Sequence, residues 1–110
     1  MTTNYKYSQI AADGTITNYR TLYNTSASVQ SVLSSIVVCN QTSSNQTARV
    51  AIMSTEGTPE IPNFIVYDAS IPLNDTFSLG LGTALPSNSF VRASASSASV
   101  SFNAFIAEIS

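Results

Sequence analysis

At 110 residues the chain fits one domain, long enough to bury a core without disulfides or metal. Its net charge is −2, and only 9% of its residues are charged, against roughly a quarter in an average domain. The four basic residues, Lys6, Arg20, Arg49 and Arg92, are scattered, which excludes a clustered grip on nucleic acid. No run approaches the roughly 18 apolar residues of a membrane-spanning helix.

The first residues, Met-Thr-Thr-Asn-Tyr-Lys, carry neither the basic nor the apolar block of a secretory signal, so synthesis in a cytoplasm is the expectation. Four of the five tyrosines, Tyr5, Tyr7, Tyr19 and Tyr23, fall before residue 24. Tyrosine has an apolar body and a polar tip and is favoured at interfaces, so these four are the candidate contact residues. Asp13-Gly14, flanked by Ile10 and Ile16, predicts a hairpin turn. Residues 1–19 therefore read as an N-terminal hairpin or as an arm docking on a neighbour, and residues 20–110 as the main domain.

Residues 28–39 alternate with period two. Val29, Leu33, Val37 and Cys39 fall on one face of the predicted strand, and Val32, Ile36 and Val38 on the other. Apolar groups on both faces predict a strand covered on both sides, either central or at a subunit contact. The polar stretch 40–46 reads as a turn, and with Ala48, Val50 and Ile52 beyond it the two runs predict an antiparallel hairpin. Gly57 to Pro62 is a breaker-rich loop. Phe64 to Tyr67 is a short strand, and Pro72 is expected to start or edge the next. Leu73, Phe77, Leu79 and Leu81 continue that strand, which Gly80 and Gly82 are expected to close into a turn at Pro86–Asn88. Phe90 to Ala93 is a further strand, and Ser94 to Ser99 a corner. In the last run Val100, Phe102, Ala104 and Ile106 face one way, and Phe105 and Ile109 the other. The pattern predicts an all-β, antiparallel β-sandwich of seven to nine short strands.

Catalytic constellations do not assemble from this residue set. Cys39 is the only cysteine, sits in an apolar run and has no histidine for a base. The acids Asp13, Glu56, Glu60, Asp68, Asp75 and Glu108 are dispersed. Asp68 and Asp75 would converge as a weak Ca²⁺ site only if their strands paired across Ile71-Pro72, and no EF-hand spacing supports that. Gly80-Leu81-Gly82 lacks the lysine and helix of a phosphate loop. The sequons at Asn24, Asn40, Asn45 and Asn74 match what a chain rich in Asn, Ser and Thr produces by chance. The expectation is a protein with no enzymatic activity, no cofactor and no metal.

Short signatures extend from Thr21-Leu22-Tyr23-Asn24-Thr25 through Ser35-Ile36-Val37-Val38-Cys39-Asn40 and Ala48–Ile52. They continue in Tyr67-Asp68, Asn74-Asp75-Thr76, Gly80–Thr83, Phe90–Ser94 and Ser99–Phe105. Over about residues 20–109 the chain resembles small virion structural proteins of tailed bacteriophages, notably those of cyanobacteria and other marine hosts. The resemblance implies a β-sandwich or jelly-roll-like subunit of the virion that stabilises the particle by protein–protein contacts. It implies a capsid decoration (cement) protein first, and otherwise a small neck, tail, baseplate or fibre component, including a carbohydrate- or receptor-binding module. The implied partners are the major capsid protein or other virion subunits and further copies of the chain, a homotrimer by analogy; neither nucleic acid nor membrane is expected. No functional-site residues carry over.

Overall fold

A computed structural model describes residues 2–109. Among the described residues there are eight strands: β1 (Thr3–Ala11), β2 (Arg20–Asn24), β3 (Gln30–Asn40), β4 (Gln46–Met53), β5 (Phe64–Ile71), β6 (Thr76–Leu85), β7 (Phe90–Ala95) and β8 (Val100–Ile109). One 3₁₀ turn, Ile61–Asn63, precedes β5. Two four-stranded sheets, ordered β1-β8-β3-β6 and β2-β7-β4-β5, make an all-β sandwich.

The pairing follows a nested rule. β1 pairs with β8, β2 with β7, β3 with β6 and β4 with β5, all antiparallel. This is one long hairpin, with its tip between β4 and β5, rolled so that alternate strand pairs fall into opposite sheets. The contacts β3–β8 and β4–β7 close the roll. The topology is a jelly roll.

That topology corrects two expected hairpins. Asp13-Gly14 does not join paired strands, because β1 lies against β8 while β2 lies against β7. Gly14, at φ +102°, instead shapes the connection between sheets. Likewise β3 and β4 do not pair; both neighbours of β3 are already β6 and β8, so residues 41–45 cross to the other sheet. Period-two alternation is blind to this difference, since a strand looks the same whether its successor turns back beside it or crosses the sandwich.

The face assignment of β3 also changes. The pairing shifts between Leu33↔Thr83 and Ser35↔Gly80, so Ser34 alone opposes Leu81 and Gly82. Against β8, Leu33↔Ile106 is followed directly by Ser35↔Phe105, so Ser34 is an extra residue of β3 and resets its alternation: Ser31 and Leu33 point inward before it, and Ile36, Val38 and Asn40 after it. Gly80 and Gly82 therefore lie inside β6, which runs on to Leu85, and do not close the strand; Gly82 takes φ +69° at the bulge. Pro72 sits in the link before β6, which begins at Thr76.

The core lies between the sheets. Leu33, Ile36, Val38, Phe102, Ala104 and Ile106 from one sheet meet Leu22, Val50, Val66, Ile71, Val91 and Ala93 from the other. The expected inward row of β8, Val100, Phe102, Ala104 and Ile106, is buried throughout. Small residues on β4, β7 and β8 let the sheets close around Phe102, the largest of the fully buried side chains.

Candidate interaction surfaces

The outer face of the β2-β7-β4-β5 sheet is partly covered by its own chain. Ser94 on β7 donates through its hydroxyl to the Ile16 carbonyl at 2.7 Å. Arg92 donates to the Tyr19 carbonyl at 2.9 Å and to the Thr21 hydroxyl at 2.8 Å, and pairs with Glu56 at 3.4 Å. These bonds hold the β1–β2 connection against the sheet.

At the β5 edge a groove of about 950 Å³ opens between Tyr19, Arg49, Phe64, Tyr67 and the wall Pro59–Pro62. It is built by a second bulge. Ala48 pairs with Ala69 and Val50 with Val66, so Tyr67 and Asp68 together oppose Arg49. Asp68 adopts φ +53°, in the left-handed region, which turns its carboxylate onto Arg49. The guanidinium forks across it, with Nε–Oδ1 at 2.7 Å and Nη2–Oδ2 at 3.3 Å. Nη1 donates to the Tyr19 hydroxyl at 3.0 Å, and the same cation lies 4.2 Å from the Tyr67 ring centroid. Phe64 meets Tyr67 edge-on at 4.9 Å and Tyr19 at 5.9 Å. The Arg49 hydrogen bonds hold the Asp68 carboxyl below its usual range, and the same pair raises Arg49.

The opposite outer face, on β1-β8-β3-β6, has a different character. Tyr5 and Tyr7 project from edge strand β1, 86% and 68% exposed, and Phe105 lies beside Tyr7 on β8 at 43%. The charges of this sheet point the other way. Glu108 accepts a hydrogen bond from the Tyr23 hydroxyl of β2 and an ion pair from Lys6 at 3.0 Å. With the Ser8 hydroxyl donating to the Leu22 carbonyl, this seam ties the two sheets at one edge. Burial, then the Glu108 bond, pushes the Tyr23 phenol up to about 12. The Tyr23 bond, then Lys6, holds the Glu108 carboxyl below its ordinary value.

The four tyrosines singled out by sequence thus divide among three environments. Tyr5 and Tyr7 share one outer face, Tyr19 belongs to the groove on the other sheet, and Tyr23 is buried in the seam. The fifth, Tyr67, is 60% exposed in the groove and was not marked by sequence, because its role depends on the bulge. All four basic residues are paired: Lys6 with Glu108, Arg20 with Asp13, Arg49 with Asp68 and Arg92 with Glu56. Asp68 and Asp75 do not converge across Ile71-Pro72, since β5 and β6 belong to different sheets. No cluster of three or more His, Cys, Asp or Glu occurs among the described residues.

No family model and no curated protein matches the chain. Among solved structures it is similar to a chain of the T13 IBDV viral particle, with a TM-score of 0.58 and 11% identity, over 96% of this chain and 30% of that one. What the two share is the fold. Two structures of a pentameric capsid protein isolated from metagenomic phage sequences match 91% of this chain at 14% identity. Their TM-scores are 0.43 and 0.42, and 59% and 60% of those chains are covered. The chain spans less than two thirds of each of these proteins.

Proposed function

We propose that this chain is a virion structural subunit that acts through protein–protein contact, most concretely as a capsid decoration (cement) protein. The observation that carries the reading is the rolled eight-strand topology, which superposes over 96% of the chain on part of a viral-particle protein. The surface chemistry agrees with it. The four basic side chains are internally paired, and apart from the exposed carboxylates Glu60 and Asp75 the unpaired surface is hydroxyl, amide and apolar, so close apposition to other protein desolvates few charges. Each copy would bury surface across a seam of the shell and stabilise it by mass action. The test is to add the purified chain to particles stripped of it. Cosedimentation with the shell and a raised disruption temperature support the proposal; failure to bind stripped shells overturns it.

A second reading rests on the groove. Exposed aromatic rings beside a forked Arg–Asp pair are also what a receptor- or carbohydrate-binding module of a tail or fibre presents. Binding to host-surface glycan that is lost in Tyr67→Ala favours this alternative.

A further inference from the structure

We propose that the outer face of the β1-β8-β3-β6 sheet is a self-association surface, and that its occupant is a second copy of this chain. The two strands whose sequences are apolar on both sides, β3 and β8, prove to be the adjacent central strands of this one sheet. Their outward residues form a continuous surface with the edge strands. In register across the sheet run Tyr5, Ala107, Val32 and Ala84, then Tyr7, Phe105, Ser35 and Gly80. No Asp, Glu, Lys or Arg occupies an outward position on these four strands, because Lys6 and Glu108 face inward to the Tyr23 seam. The other sheet's outer face, by contrast, is partly covered by the β1–β2 connection.

Charge and shape both favour a copy of the same face as the partner. A surface without charge of either sign offers nothing to steer an acidic or basic partner and leaves no ion unpaired against itself. Its relief is graded: Tyr5, Tyr7 and Phe105 stand on the β1–β8 side, while β6 presents Ser78, Gly80 and Ala84. A twofold axis parallel to the strands sets the aromatic side of each copy over the small-residue side of the other, an isologous fit. Four strands at about 4.8 Å and nine residues at about 3.3 Å give roughly 600 Å² per face. Two such faces bury about 1,200 Å², the lower bound of specific interfaces. Lys6, inward-pointing on β1, opposes the competing mode in which strands add edge to edge.

The inference concerns the purified chain and stands or falls separately from the cement reading. Sedimentation equilibrium in reductant, over concentrations of about 1–100 µM, is the test. The expected species has twice the 11.6 kDa chain mass. Phe105→Lys is expected to weaken association by more than about tenfold. Ile65→Lys, an exposed apolar site on the other sheet, is expected to leave it unchanged. Should Phe105→Lys fail to fold by far-ultraviolet circular dichroism, Tyr7→Lys on the exposed edge strand serves with the same expectation. A monomer throughout, a trimer or pentamer, or a dimer that survives the face substitutions overturns the proposal.

Discussion

Asn40 offers the sharpest test of how the roll is held. Its side chain is 1% exposed at the point where the chain leaves β3 for the other sheet. The amide nitrogen lies 2.9, 3.1 and 3.0 Å from the carbonyl oxygens of Ile71, Pro72 and Ser44. The amide oxygen accepts from the Thr42 backbone N–H at 3.0 Å and from its hydroxyl at 2.7 Å. Two N–H groups serve three acceptors, so the clamp contains about four full bonds at roughly 1 kcal/mol each. Water recovers part of this at Ser44 and Thr42 but not at the buried Ile71 carbonyl, so Asn40→Ala should cost about 3 kcal/mol. Against a total stability of about 5–15 kcal/mol, that shift is large in urea denaturation: the midpoint falls by more than about 1 M with the slope unchanged. Asn40→Asp should be worse at neutral pH, because it aims a carboxylate at three carbonyl oxygens. Those oxygens raise the folded-state pKa of the new acid, so the charge penalty is absent below about pH 4, where only the loss of one donor remains, and grows as pH rises above it. An Asn40→Ala variant within about 1 kcal/mol of the parent, or an Asn40→Asp variant no less stable than it, would refute the reasoning.

Phe102→Ala removes the largest side chain of the closed core and should cost about 3–5 kcal/mol by the same denaturation assay, whereas a loss under about 1 kcal/mol would mean the sheets can collapse onto the void. Gly82→Ala meets open space but must hold φ +69°, so about 1 kcal/mol should be lost through the backbone alone, with no change in core packing by near-ultraviolet circular dichroism. Tyr23, raised to about 12, contributes stability that is complete below pH 10 and lost as pH rises through 12; ultraviolet titration should show a phenol ionising with its midpoint near 12, and Tyr23→Phe should remove that step. Glu108, lowered, contributes stability present above the ordinary carboxylate range and lost as pH falls through its depressed value, so Glu108→Gln should flatten the acid limb of stability against pH.

Strand identity was legible in the sequence because alternation reports one strand at a time. The inward row of β8 shows this best: all four expected residues are buried. Connectivity was not legible, because the polar stretch 40–46 suits a tight hairpin as well as a crossover. Only the tertiary acceptors of Asn40, some thirty residues away on Ile71 and Pro72, make it the latter. The Ser34 bulge was hidden for a similar reason. Its one signal is that Leu33 and Ile36 are three apart, so their shared burial breaks strict alternation. The candidate surfaces were legible in part. Tyr5 and Tyr7 stood out by composition, while the groove depends on Asp68 entering the left-handed region opposite Arg49, a pairing set by two strands together. The apolar character of both faces of β3 and β8 was visible from the start; that the two strands lie side by side, merging their outer faces into one surface, emerges from the roll.

Under the proposed function, the working parts of this domain are its surfaces, applied to a viral shell. Cryo-electron microscopy of intact particles with this chain traced tests it most directly. Copies are expected to repeat over the shell lattice, each burying an outer face of the roll against capsid protein or a second copy. Particles without the chain, or a chain present with both sheet faces in open solvent, would contradict it.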